Sequence, residues 1–331
     1  MNKKIMTNMM IALMLCSMAA GCTGSNDETP SLIQTGSSTV LPLAVVWAED
    51  YDGADVSVSG GGSSHGINAL LYGEADIGDA SRLMKNKDYG KFDNCDDTAV
   101  DENTGSTTVP CNGVLPVKWV VAYDVLATIV HEDNDWATSL NFSQLYSIFT
   151  DDNPAEYWDE VPGLESTAPH EKIEIYAPDE ASGTFDFFFE SIIEDWGKDD
   201  QVAGTRLESG DGVYHPSADD NVILTAIKNN PYAIGYLGFA YVQENSDSIA
   251  LVSLDGGEGF VEPSLETVAD YPMARPLHMY TNAYADNRED VEGYIAFALS
   301  EDGQAVVDEV GYVRVEMVNP DVLAEQISRL S

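Results

Sequence analysis

From Ser31 onward, short apolar runs alternate with longer amphipathic stretches, and no other feature restricts the fold of this chain so strongly. Val56-Ser57-Val58, Trp119 to Ala122, Leu126 to Val130 and Ile173 to Ala177 read as strands. Val40 to Tyr51, Gly66 to Tyr72, Phe142 to Phe149, Thr184 to Trp196, Asn221 to Lys228 and Val291 to Leu299 read as helices. Such alternation predicts an α/β protein whose sheets are mostly parallel and covered by helices on both faces. A length of 331 residues suits two domains, each with a full core. The helix from Thr184 carries the clearest periodicity: Phe185, Phe188, Phe189, Ile192, Ile193 and Trp196 fall on one face. That stripe reads as core packing.

Three joins between elements share a composition. Thr35-Gly36-Ser37-Ser38-Thr39 precedes a helix with Pro42 in its first turn. Gly60-Gly61-Gly62-Ser63-Ser64-His65-Gly66 follows the strand at Val56, and Ala181-Ser182-Gly183-Thr184 follows the strand at Ile173. Hydroxyls in such positions cap the helix, and glycines let backbone N–H groups approach a ligand closely. A helix N-terminus presents unpaired donors and partial positive charge, so it holds an oxyanion without a lysine. One such loop alone is a capped turn; three together predict an anion site, provided they converge. A fourth segment, Asp76-Ile77-Gly78-Asp79-Ala80-Ser81-Arg82, ends in a guanidinium suited either to an oxyanion or to a surface ion pair.

Charge narrows the partners. Lys and Arg number 15 against 57 Asp and Glu, a formal net charge of −42. A surface of that sign repels nucleic acid and anionic membranes and keeps the protein soluble and monomeric. It fits either adaptation to salt or a generally acidic proteome. The five histidines (65, 131, 170, 215, 278) have no ligand spacing, so no metal is expected. The Gly-rich loop lacks the lysine of a nucleotide-binding loop, and no cofactor is expected. Gly62-Ser63-Ser64-His65-Gly66 does satisfy G-x-S-x-G. A serine hydrolase with Ser64 as nucleophile and His215 or His278 in a triad is therefore an alternative, though it leaves the three-loop set unexplained.

Residues 1–21 read as an export signal, with Lys3 and Lys4 before the apolar run Met9 to Ala20. Ala19-Ala20-Gly21-Cys22 resembles a lipoprotein processing site, which would make Cys22 the lipidated first residue; plain secretion is the alternative. Residues 22–30 then form a polar tether. With Cys16 removed and Cys22 lipidated, Cys95 and Cys111 remain. Outside the cytoplasm they are expected to form a disulfide rather than stay free thiols. The polar loop 96–110 between them is expected to be mobile or peripheral, so that trimming it spares binding.

Taken in order, these segments resemble the substrate-binding subunit of the phosphate ABC transporter. The likeness begins with Gly36-Ser37-Ser38-Thr39-Val40-Leu41-Pro42-Leu43, Trp47 and Tyr51. It runs on through residues 60–67 and 76–82, Pro116 to Val130, Ser182-Gly183-Thr184-Phe185-Asp186, residues 217–221 and 233–241, Tyr271 to Leu277, and Ser300 to Val313. The resemblance implies a two-lobed periplasmic-binding-protein fold (type II), hinged on two crossover strands. Lobe 1 would be 31–130 plus 277–331, and lobe 2 would be 131–276. It implies an extracytoplasmic, non-enzymatic protein, lipid-anchored to the outer face of the cytoplasmic membrane. Such a protein captures inorganic phosphate and passes it to an ABC permease; a sulfate or tungstate binder is the alternative within that class.

By position, Ser38 and Thr39, Ser63, and Ser182, Gly183 and Thr184 would contact the anion, and Arg82 would supply positive charge. Two departures stand out. One branch of the family has an Arg where Pro178 stands. The same branch has, near position 82, an Asp that accepts the proton of hydrogen phosphate and excludes sulfate. The acceptor here is open among Asp79, Asp179 and Glu180.

Overall fold

The computed structural model describes residues 29–179, 182–194, 204–245 and 247–330. The leader, Cys22, Glu180 and Trp196 lie outside these residues. Lobe 1 begins with β1 (Ser31–Gly36), α1 (Leu41–Asp50), β2 (Asp55–Gly60), α2 (Ser63–Tyr72), β3 (Ile77–Ala80) and the short α3 (Asn86–Tyr89). The chain then crosses to lobe 2 in β4 (Pro116–His131). There it forms β5 (Ser139–Asn141), α4 (Phe142–Phe149), β6 (Glu174–Pro178), α5 (Gly183–Phe188), α6 (Arg206–Ser209) and β7 (Tyr214–Ser217). α7 (Asp220–Lys228), β8 (Ala233–Gly238), α8 (Phe239–Glu244), β9 (Ile249–Leu251) and β10 (Ser253–Asp255) complete lobe 2. β11 (Ala274–Asn282) returns to lobe 1, which ends in α9 (Arg288–Ala298), α10 (Glu301–Val310), α11 (Val315–Val318) and α12 (Pro320–Leu330).

One sheet runs through both lobes in the order β2-β1-β3-β11-β4-β8-β6-β7, with β9 also on β4. β1, β2 and β3 pair in parallel, as do β6, β7 and β8. The crossover strands pair antiparallel with each other, and β4 pairs antiparallel with β8. The two runs expected as separate strands at 119–122 and 126–130 are thus one strand. β4 is buried along almost its whole length, which explains its unbroken apolar character.

Two cores lie on either side of this crossing. Leu32, Trp47, Trp119, Val121, Ala122, Leu277 and Tyr294 share one cluster. Val125, Leu126, Phe149, Phe188, Tyr236 and Met273 share the other. A third cluster in lobe 1 gathers Ile67, Leu70, Met84, Tyr89, Val100 and Cys111 beneath the disulfide Cys95–Cys111, whose Cα atoms are 5.1 Å apart. The loop inside that disulfide is fastened down. The Val100 N–H donates to Asn86 Oδ1, the Tyr89 hydroxyl donates to Val109 O, and Val100 is buried.

The aromatic stripe after Thr184 is core on most of its length, with Phe185, Phe188, Ile192 and Ile193 buried. The helix is not uniform, however: α5 gives way at Phe189 to a π-turn ending at Glu194. The wider turn breaks the 3.6-residue period that the sequence implied, and Phe187, in α5 and off the expected stripe, is buried as well.

Candidate functional site

The turn from β1 to α1 is built by Gly36 and Ser37. Gly36 has φ +145°, and a Cβ there would lie 2.2 Å from the Asp79 carbonyl oxygen, so only glycine lets β1 end against β3. Ser37 caps the turn, its Oγ accepting from the N–H groups of Thr39 and Val40 at 3.2 and 3.4 Å. The second loop is tied to the first by Gly62 N–H donating to Gly36 O at 2.8 Å. Ser63 Oγ lies 3.1 Å from Ser81 Oγ and accepts from the Ser81 N–H at 3.0 Å, which brings in the fourth segment. Three of the four segments thus form one surface at the rim of lobe 1.

Arg82 stands on that surface with its side chain 18% exposed. Both arms of its guanidinium donate to Asp88 at 2.9 Å, and Nη2 also donates to Ser64 Oγ at 2.8 Å. Burial pushes the Asp88 carboxyl up. Hydrogen bonds from Arg82 and the Lys85 N–H outweigh it and hold the group below its usual range.

The third loop comes from lobe 2. Ser182 is the N-cap of α5, accepting from Thr184 N–H at 3.2 Å. Ser38 Oγ donates across to Asp186 Oδ2 at 2.9 Å. A Cβ on Gly183 would lie 2.9 Å from Thr39 Cα, so this glycine permits the backbones of the two lobes to touch. Thr184 lines a groove of about 310 Å³ between the lobes, together with Pro42, Asp220, Tyr241 and Tyr312. A larger cavity of about 530 Å³, lined by Lys118 and Arg329 among others, lies on lobe 1 between β4 and α12 and shares no residue with these loops.

Of the sequence-predicted residues, 38 and 39 thus meet the 182–184 loop across the lobes, while Ser63 and Arg82 make their bonds within lobe 1, to Ser81, Leu83, Asp88 and Ser64. Asp79 does not join them. Its carboxyl is buried within lobe 1, where Gln34 Nε2 donates to it at 2.9 Å and burial raises it well above the ordinary value. The Asp179 carbonyl accepts from the Ser182 N–H at 3.0 Å. No group of three or more His, Cys, Asp or Glu among the described residues is arranged to hold a metal.

The hydrolase geometry is not assembled either. Ser64 has a guanidinium as its partner, while His215 bonds Glu174 at 2.7 Å and stacks on Tyr176. His278 is 1% exposed inside lobe 1, and burial, aided by the charge of Lys118, holds its imidazole down to about 3.

Comparison with known proteins agrees with this geometry. The family model described as a PBP superfamily domain matches residues 23–302. The chain belongs to the PBP superfamily. Among its relatives, Protein SphX of Synechocystis sp. is 32% identical over 317 residues, covering 92% of this chain and 83% of that one. Phosphate-binding protein PstS of Staphylococcus epidermidis is 30% identical over 287 residues, covering 84% and 77%. Among solved structures, a possible phosphate binding protein from Planctomyces limnophilus has a TM-score of 0.75 at 27% identity, covering 91% and 98%. An ABC-type phosphate transport receptor from Vibrio cholerae, at 22% identity and a TM-score of 0.61 over 85% and 99%, shares the fold.

In this PBP-superfamily chain the most heavily connected group at the junction is one that sequence reasoning passed over. Arg275, at the start of β11 and 8% exposed, donates through Nη2 to Thr39 Oγ1 at 2.9 Å and to Gly183 O at 3.3 Å. Its Nε meets Asp124 and its Nη1 meets Glu190, both at 3.3 Å, and its guanidinium carbon lies 3.9 Å from the centre of the Phe187 ring. Ser81 and Asp186 were also missed as members of the site. The available signals were an arginine inside the apolar run Met273 to Leu277 and an acid in the first turn of α5.

Proposed function

We propose that this protein captures inorganic phosphate between its lobes, outside the cytoplasm, and delivers it to an ABC importer. What supports this reading is the meeting of the first and third loops across the lobes at Arg275, with the second loop and the Arg82 segment bonded to the first and to each other, in an otherwise acidic chain. Neutral donors at helix starts suit a tetrahedral oxyanion, and guanidinium groups add charge-assisted bonds. The names of the relatives point to phosphate among the oxyanions. We assign the contacts to Ser38 and Thr39, Ser63, Arg82, and Ser182, Gly183 and Thr184. The working units are lobe 1 (31–130 with 277–331) and lobe 2 (131–276), acting as a monomer held to the membrane by a lipid on Cys22.

Titration calorimetry of the leader-free protein with phosphate, sulfate, arsenate and tungstate tests the ligand. Phosphate binding at micromolar concentration or below, without turnover, supports the reading. Binding of another oxyanion with phosphate silent overturns the ligand and leaves the fold intact. For the anchor, Cys22→Ala is expected to move the protein from the membrane fraction to the soluble one.

A further inference from the structure

We propose that Arg275 is the positioning residue that joins the two halves of the site, fixing Thr39 and Gly183 in place as the lobes close. The proposal rests on the phosphate-capture reading for its ligand, but its geometry stands apart from it.

Four acceptors from four segments surround one guanidinium. Asp124 lies directly across from Arg275 in the β4–β11 ladder, so this pair belongs to the two strands that cross between the lobes. Thr39 belongs to lobe 1 and Gly183 and Glu190 to lobe 2. Bending about the crossover strands moves Thr39 and Gly183 apart while leaving the Arg275–Asp124 pair in place. A single Nη2 can reach both the Thr39 hydroxyl and the Gly183 carbonyl only when the lobes are together.

A planar fork is required for this. Arg presents five donors in one plane and lies flat on an aromatic ring, as it does on Phe187. A lysine has one nitrogen, so an ammonium placed beside Asp124 leaves unfilled the position from which Nη2 reaches Thr39 and Gly183. The competing role is purely structural: Arg275 would neutralise the buried Asp124 carboxylate and nothing more. Removing one partner of a buried pair destabilises strongly, so loss of stability alone does not distinguish the two roles.

The test therefore uses Arg275→Lys and the paired change Arg275→Gln with Asp124→Asn, which removes both charges together. Thermal melting checks that each is folded, calorimetry gives the dissociation constant for inorganic phosphate, and small-angle X-ray scattering gives the radius of gyration with and without phosphate. We expect both variants to bind phosphate at least tenfold more weakly and to be more expanded than the parent protein before phosphate is added. Parent-like affinity together with a parent-like radius in both variants overturns the proposal. Should the parent protein not bind phosphate, the capture reading fails, and the ligand-free radii decide the role of Arg275 on their own. If Arg275→Lys does not fold, the paired variant carries the same two outcomes.

Discussion

Both arms of the Arg82 guanidinium lie on Asp88, Nη1 also donates to the Leu83 carbonyl, and Nη2 also reaches Ser64 in the second loop. The carboxylate thus holds the arginine beside the second loop. Arg82→Ala removes a charge-assisted bond to the anion and is expected to weaken phosphate binding by about 2–3 kcal/mol; an unchanged dissociation constant in calorimetry places Arg82 outside the contact set. Asp88 also gives the protein part of its acid sensitivity. Its folded carboxyl is held below the unfolded value. The stability it contributes is therefore fully present above the unfolded value of about 3.9 and is lost as pH falls through the folded one. Asp88→Asn is expected to lower the unfolding free energy at neutral pH and to flatten its fall below pH 4, read from urea midpoints.

Local structure was legible where a motif and a physical reason coincided, as for Ser182, which caps α5 as its loop composition implied. Arg275 was not, because its neighbours Thr39, Asp124, Gly183 and Glu190 are scattered in sequence and meet only once β4 and β11 are paired.

At the scale of elements, most helices stand within three residues of their expected bounds, and the differences have local causes. α2 starts at Ser63 rather than Gly66, because the hydroxyl-rich loop is already its first turn. The short strands β9 and β10 and the terminal helix α12 gave little signal. α12 owes its place to tertiary contact: Gln326 bonds both the N–H and the carbonyl of Val120, covering the β4 edge that would otherwise be open.

The loop 96–110 is the larger surprise. It was expected to be dispensable, yet through Asn86 and Tyr89 it braces α3, the element that presents Asp88 to Arg82. Replacing Cys95 and Cys111 together by Ser is expected to cost about 3 kcal/mol of stability and to weaken phosphate binding through α3. Denaturant midpoints and calorimetry measure the two effects, and full retention of affinity would mean that α3 holds Asp88 unaided.

At the scale of the whole molecule, the chain sets 57 acidic side chains against 15 basic ones. Self-repulsion on that scale is long-ranged at low salt, where the Debye length is about 30 Å at 0.01 M and about 3 Å at 1 M. The melting temperature is expected to rise steadily with sodium chloride across that range; a flat response in calorimetric scans would mean that this repulsion contributes little to the stability of the fold. The α/β class and the two lobes were legible from alternation and motif order. The merging of both lobes into a single sheet was not, since no periodicity records which strands become neighbours.

That merging has a mechanical consequence. β4 hands its backbone partners from β11 to β8 without a gap, between residues 125 and 126. Neither half of the protein can fray away along a free seam, because the same ribbon of peptide groups is woven into both. Melting one half loosens the strand that the other half shares with it, so the two should come apart together, in a single cooperative step followed alike by the lobe 1 tryptophans Trp47 and Trp119 and the lobe 2 tryptophan Trp158.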